Sequence, residues 1–362
     1  MKKIRICMLT TAYPFYQGDL RGVFVYKLIK ALKKYTDVKL VTLKGYNALT
    51  SGAGILHNIK VSWKAKILFP FYWLHLSFNM NIASRRCDLI HTNWGPIAFF
   101  AILTKPIHRK KILLTERSSF LISTNNLILK LINKFTYSHV DSLITISNFS
   151  KNLIQHKYNI NEVKVIMNGV DVIKRKNKSF LKNKLKLPKS VRIFLYVGRL
   201  DERKGVNYLI QAFNQLKNKD SYLVIIGRGD YNLNINDDKI IFLGDKLQTE
   251  VFDYMLASDV FILPSLNETG GNVLLEARAC GLPIISTKVG WAEDIINDGK
   301  DGFFIEKQDS QDIYDKLSKV LNHNTFLRLS KNSKNIKINS WDDCAKKYAK
   351  EYKGLICAPE HG

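Results

Sequence analysis

Two carboxylates and two cations in the second half of the chain are spaced as if to manage a charged leaving group. Glu268 and Glu276 stand eight residues apart, with Gly270, Gly271 and Asn272 between them. Upstream, Arg199 and Lys204 share the stretch Gly198-Arg199-Leu200-Asp201-Glu202-Arg203-Lys204-Gly205. A forked guanidinium and a compact ammonium on one loop suit a diphosphate, the first giving paired donors and the second a point charge. A carboxylate can accept two hydrogen bonds from a vicinal diol, which is what a ribose offers. Glu276 falls about one turn inside a helix, too deep to serve the phosphate, so the diol suits it. Glu268, in the loop ahead of that helix, sits where a sugar beyond the phosphates would be.

These residues need a strand, a turn and a helix to position them, and the sequence supplies all three. Val260, Phe261, Ile262 and Leu263 read as a buried strand ending at Pro264. The glycines make a short loop, and the helix after it stops at Gly281-Leu282-Pro283 before a new strand at Ile284. The first N–H groups of such a helix lack an internal partner and point outward, which makes an anion site. Elsewhere, apolar runs at 4–9, 38–42, 89–91, 112–115, 142–146, 193–197, 222–226 and 241–243 alternate with amphipathic stretches, among them 23–32, 310–321 and 341–355. That pattern is a doubly wound α/β fold with parallel sheets. Ligands of such sheets bind beyond the carboxyl ends of the strands. The loop of residues 10–22 ending at Gly22, Asn93, the Glu116-Arg117 step and Gly227 should therefore face a ligand.

At 362 residues the chain fits two domains of ordinary size, and the Lys- and Asn-rich segment 172–188 is the natural boundary. The formal charge of +25 is compatible with nucleic acid or anionic lipid. No arginine-rich tract, zinc-ligand spacing or RNA-binding aromatic signature supports nucleic acid. Five scattered cysteines without a CxxC pair point to a reducing compartment. The opening MKKIRICMLTTAYP is read as a first buried strand rather than a signal peptide, because Arg5 interrupts a short apolar run. No run approaches the ~20 apolar residues of a membrane helix. Residues 63–80, WKAKILFPFYWLHLSFNM, are unusually aromatic with lysines on the near flank, and Pro70 interrupts them. They fit either an interfacial segment on anionic headgroups or a helix packed on the sheet.

Taken together these stretches resemble the retaining glycosyltransferases of family 4. Glu268 and Glu276 match the family's Glu-x7-Glu motif, and Gly198 to Gly205 matches its GRLxxxKG. Asp88-Leu89-Ile90-His91 and the turn Asn168-Gly169-Val170-Asp171 are similar to further family segments. The resemblance implies the GT-B fold, two Rossmann-like doubly wound parallel-sheet domains facing a central cleft. Residues 1–172 would bind acceptor, 173–338 would bind nucleotide-sugar, and 339–362 would cross back as a helix. It gives Arg199 and Lys204 the diphosphate, Glu268 the donor sugar and Glu276 the ribose. Main-chain groups near Gly270, Gly271 and Asn272 would meet sugar or phosphate, Gly227 the base and ribose, and Gly22 the donor phosphates and acceptor. Three departures bear on specificity. Gly22 lacks the family's adjacent glycine, Arg117 stands where many members carry a histidine beside the donor sugar, and Trp291 replaces the second glycine of a common pair. Arg117 could donate to a sugar hydroxyl or an anionic acceptor but cannot act as a base. The Trp291 ring is expected to reshape the donor pocket.

The expected reaction is retaining transfer from a nucleotide-sugar to a glycan or lipid-linked glycan, in bacterial surface polysaccharide or lipopolysaccharide synthesis. No convincing Asp-x-Asp triplet is found, so fixed cations would replace a metal and no cofactor is expected. The expected setting is cytoplasmic, peripheral at the inner face of the cell membrane, with an anionic membrane surface and no nucleic acid as partner. A GT-B sugar-nucleotide epimerase, or a membrane-surface or nucleic-acid binder without catalysis, is the alternative.

Overall fold

The computed structural model describes residues 3–14, 22–43, 46, 55–118, 124–217, 220–229, 237–268 and 270–357. Chain contacts divide it into two units. The first comprises Met1–Ile146, Ser150–Gly169 and Trp341–Gly362, and the second Ser147–Phe149 and Val170–Ser340.

The first unit is built on a six-stranded parallel sheet of order β2-β1-β3-β4-β5-β6. Its strands are β1 (Ile4–Leu9), β2 (Thr36–Val41), β3 (Leu89–Thr92), β4 (Lys111–Glu116), β5 (Ser142–Thr145) and β6 (Lys164–Val165). Side chains alternate between two cores, as the two-residue period of a strand requires. Ile6, Met8, Leu89 and Leu113 enter the core shared with the helices Val23–Leu32 and Trp341–Cys357. Cys7, Leu9, Ile90 and Ile112 enter the opposite core, with the helices Trp63–Ser84 and Gly95–Leu103. Near-continuous apolar strands follow from burial on both faces.

The carboxyl-terminal helix is fixed by a wholly buried polar cluster. His91 binds the Tyr352 hydroxyl through Nδ1 at 2.7 Å and Thr115 Oγ1 through Nε2 at 2.8 Å. Tyr348 and Thr115 share a further contact of 3.1 Å. Burial holds the His91 pKa well below its ordinary value, so the ring is neutral, with one nitrogen donating and the other accepting.

The second unit has strands β7 (Arg192–Val197), β8 (Ser221–Ile226), β9 (Ile240–Phe242), β10 (Val260–Leu263), β11 (Ile284–Thr287) and β12 (Gly302–Ile305). Their order is β12-β11-β10-β7-β8-β9, again all parallel. From the first strand the chain builds outward one way, then returns to build the other way. The reversal lies between β7 and β10 in this unit and between β1 and β3 in the first. Crevices at such reversals are where open α/β sheets take ligands.

Two short strands, β6 and β12, go beyond the sequence expectation. β6 pairs over only two residues in what reads as the approach to a turn. β12 begins at Gly302, whose position close to the Ile284 carbonyl has no periodic signature. Pro70 also behaves differently from expectation, since the helix Trp63–Ser84 runs through it without a break. Proline there forgoes the bond to the Lys66 carbonyl, four residues back, and Lys66 and Pro70 both lie on the exposed side of the helix.

The helix Asn272–Ala279 is anchored by a buried ion pair. Arg278 is 1% exposed, donates to Asp301 Oδ1 at 2.7 Å and reaches Ser333 Oγ at 2.9 Å. Removing one member of such a pair leaves the other charge uncompensated, at a cost of about 3–5 kcal/mol. Arg278→Leu should therefore lower stability by that amount, seen as a lower melting midpoint. Arg278→Leu combined with Asp301→Asn should recover part of the loss.

Candidate active site

In the second unit the crevice at the reversal is made by the loops after β7 and β10, and main-chain contacts knit these loops together. The Leu266 N–H donates to the Arg203 carbonyl at 2.8 Å. Gly205, at φ 63°, lies so close to the next loop that a Cβ there would be 2.2 Å from the Pro264 oxygen. Only glycine satisfies both the left-handed backbone and the close approach. This places the preceding side chain, Lys204, directly on Glu268, in an ion pair with side-chain exposures of 18% and 14%. Ser265 Oγ donates to the same carboxylate oxygen at 3.3 Å.

Gly271 opens the helix Asn272–Ala279 beside this pair, with the Glu268 carboxyl carbon 3.8 Å from where a Gly271 Cβ would be. Asn272 is exposed on the first turn and Glu276 is half-buried one turn further on. Gly270 is held from behind, because its carbonyl accepts the Trp291 N–H at 2.9 Å. The Trp291 ring is wholly buried. The ring expected at the donor pocket is thus covered, and it presents no surface of its own to a ligand. Thr269 lies outside the described residues.

Arg199 is on the same loop as Lys204, but the two cations do not converge. Its guanidinium is 62% exposed and lies 3.4 Å from Asp201, which also pairs with Arg203 at 3.0 Å. The expected two-cation clamp thus consists of two separate ion pairs. Buried Tyr196 sets the loop's course by donating to the Arg199 carbonyl at 2.8 Å. Gly227, at the end of β8, lies against the Gly198 carbonyl, and a Cβ there would approach it to 1.8 Å. Its N–H donates to the Gly244 carbonyl at 2.9 Å, so the ends of β7, β8 and β9 are joined through backbone. Among the described residues no group of three or more His, Cys, Asp or Glu side chains is gathered for a metal ion.

The carboxyl ends of β1, β3 and β4 gather a second constellation in the first unit, centred on Arg117. The guanidinium is half-buried and donates to Asn93 Oδ1 at 3.2 Å and to Asn168 Oδ1 at 2.6 Å. It also lies 3.5 Å from the Tyr348 hydroxyl and 5.1 Å from the Phe24 ring centre. Phe24 belongs to the helix that starts after Gly22, and Gly22 itself packs against the Ala12 carbonyl. Residues 15–21 and 119–123 lie outside the described residues. Among the described residues Arg117 is therefore held by neutral groups, with a fixed direction.

Two family models match the chain. Glycosyltransferase Family 4 covers residues 22–174 and Glycosyl transferases group 1 covers residues 177–339. A galactosyltransferase from Escherichia coli, the UDP-Gal:alpha-D-GlcNAc-diphosphoundecaprenol alpha-1,3-galactosyltransferase, is 30% identical over 317 residues, 80% of this chain and 78% of that protein. The chain belongs to glycosyltransferase family 4. Solved structures agree with the GT-B fold. Sucrose-phosphate synthase from Thermosynechococcus elongatus superposes with a TM-score of 0.78 at 19% identity, covering 99% of this chain and all of that one. HepE from Anabaena, solved in complex with UDP-glucose, gives 0.74 at 17% identity, covering 97% of this chain and all of that one.

Glu116, expected with Arg117 to face a ligand, is instead a buried structural acid. Glu116 is fully buried and accepts four hydrogen bonds. They come from the backbone N–H groups of Gly95, Arg117 and Ser118 and from the Tyr137 hydroxyl, at 2.8–3.2 Å. It fixes the backbone that carries Arg117. The signal was present as an acid at the end of an apolar strand, but nothing in the sequence told a buried acceptor from a solvated one. Asn168 was legible only as part of a turn, and Tyr348 only as a helix residue.

Burial raises the Glu116 pKa from 4.5 to about 7 against the pull of its four donors. Below pH 4.5 the group is neutral in folded and unfolded chains alike. Between 4.5 and about 7 the unfolded chain releases a proton that the folded chain keeps, so stability falls as pH rises. Glu116→Gln should remove this component. The difference in unfolding free energy between wild type and variant should slope by on the order of 1 kcal/mol per pH unit across that window and be flat above it.

Proposed function

We propose that this glycosyltransferase moves a sugar from a nucleotide-sugar to a lipid-linked glycan, with retention of configuration and without a metal. The observation that carries the reading is the Lys204–Glu268 pair, set at the sheet reversal beside the start of the helix Asn272–Ala279. As the bond from the sugar's anomeric carbon to the diphosphate breaks, negative charge grows on the departing phosphate oxygens. Lys204 has three N–H donors, so it can keep Glu268 and still bind phosphate. The first-turn N–H groups of the helix add a second set of donors. Arg199 joins them by leaving Asp201, an exposed contact of the kind worth at most about 1 kcal/mol. Preorganised donors aimed at developing charge contribute about 2.7–4 kcal/mol each.

In this mechanism the acceptor hydroxyl attacks the face from which the diphosphate leaves. Its proton passes to the departing phosphate oxygen, and no carboxylate forms a bond to the sugar. Glu268, oriented by Lys204 and Ser265, accepts from sugar hydroxyls, and Glu276 accepts from the ribose diol. Arg117, with neutral partners in Asn93, Asn168 and Tyr348, suits an anionic acceptor such as a diphosphate-linked glycan. The diphosphoundecaprenol acceptor in the name of the Escherichia coli relative supports this choice. The activity would serve surface polysaccharide or lipopolysaccharide assembly at the cytoplasmic face of a membrane.

A thermal-shift panel of UDP, GDP and ADP tests the nucleotide. One of them should stabilise by about 2.7 kcal/mol at 100 times its dissociation constant. Lys204→Ala should abolish that shift and slow sugar release by roughly 10²–10³-fold. A chain stabilised by none of the three, or a Lys204→Ala variant that releases sugar at the wild-type rate, would overturn the reading.

A further inference from the structure

The helix Trp63–Ser84 has two apolar faces, and only one of them is used inside the protein. Ala65, Tyr72, Trp73, Leu76 and Met80 are buried in the core of the first unit. On the other side Trp63, Ile67, Phe71, Leu74, Phe78 and Ile82 are 49–70% exposed. Their spacing of four, four, three, four and four residues makes one continuous stripe, about 28 Å long at the helical rise. A surface helix ordinarily carries polar residues there, and a large exposed apolar patch marks an interaction site. Neighbouring elements of the same helical layer continue the character. Trp73 stacks on Phe100 at 4.5 Å, and Phe99 meets Phe135 at 5.8 Å, which joins the helices Trp63–Ser84, Gly95–Leu103 and Leu127–His139 side by side. Leu103, Leu127 and Ile128 of these helices are 54–70% exposed.

Charge identifies what covers this face. Between residues 38 and 140 the sequence has 14 Lys and Arg but only two acids, Asp88 and Glu116. Asp88 is paired with Arg5 at 2.6 Å and Glu116 is fully buried. The stripe itself is flanked by exposed Lys60, Lys64 and Lys66 at one end and Arg85 and Arg86 at the other. A second copy meeting this face by two-fold symmetry would set like charges against each other. Among the described residues no helix is long and apolar enough to cross a membrane. An apolar stripe with cationic ends, lying along the surface of a protein rather than through a bilayer, fits the interface of an anionic membrane.

We propose that the helix Trp63–Ser84 lies in the plane of an anionic lipid surface, with its outer aromatic and aliphatic residues among the acyl chains and its flanking lysines and arginines on lipid phosphates. This inference stands apart from the proposed reaction, because nucleotide binding draws on the second unit and is measured separately.

The test is flotation of the full chain with vesicles of phosphatidylglycerol and phosphatidylethanolamine, against vesicles of phosphatidylcholine alone, at 0.1 M salt as a nominal condition. The chain should float with the anionic vesicles and remain behind with the neutral ones. Lys64→Ser and Lys66→Ser should each weaken binding by about fivefold. Phe71→Glu with Phe78→Glu should abolish it, leaving the melting midpoint and the nucleotide-induced shift unchanged, since both side chains point to solvent. Failure to float with anionic vesicles would overturn the proposal. So would a glutamate variant that floats like wild type, or sedimentation showing a dimer that the glutamates dissociate.

Discussion

An ammonium and a carboxylate, both largely withdrawn from water, hold the loop after β7 against the loop after β10. The pair exists because of geometry upstream of it. Parallel pairing of β7 with β10 brings two strand ends together that are more than sixty residues apart in sequence. Gly205 then lets the first loop close onto the Pro264 carbonyl, where any side chain would collide. The charge pair sits beside the helix start at Gly271, and the Trp291 N–H holds the Gly270 carbonyl from behind.

The first unit solves a related problem with neutral groups. Among the described residues Arg117 has amide oxygens, a hydroxyl and an aromatic ring around it, and these fix its direction. Behind it Glu116 organises the backbone through three accepted N–H bonds, and the carboxyl-terminal helix contributes Tyr348. The loop that carries Arg117 is thus braced by the carboxyl-terminal helix.

Much of this was legible in the sequence, for identifiable reasons. β1 and the helices Val23–Leu32 and Ser310–Leu321 fall at the expected residues, because apolar periodicity and their terminal signals agree there. Both loops were legible as strand ends, but the ion pair between Lys204 and Glu268 was not. What sequence could not give was partnership. Arg199 looked like half of a clamp, yet local geometry sends it to Asp201. Trp291 was placed at the donor pocket, but that its ring would be wholly covered could not be read from sequence. Residues 63–80 offered a choice between core and surface, and the structure shows a helix with an apolar face on each side. Burial is a property of the assembled sheet, which a local window of residues does not contain.

The central claim is that the crevice between the β7 and β10 loops grips a diphosphate. A structure determined with a non-transferable nucleotide-sugar tests it most directly. The account predicts Lys204 Nζ and the first-turn N–H groups after Gly271 at about 3 Å from diphosphate oxygens, with Glu268 turned to the sugar. A diphosphate bound away from both loops, with Lys204 still committed to Glu268 alone, would contradict it.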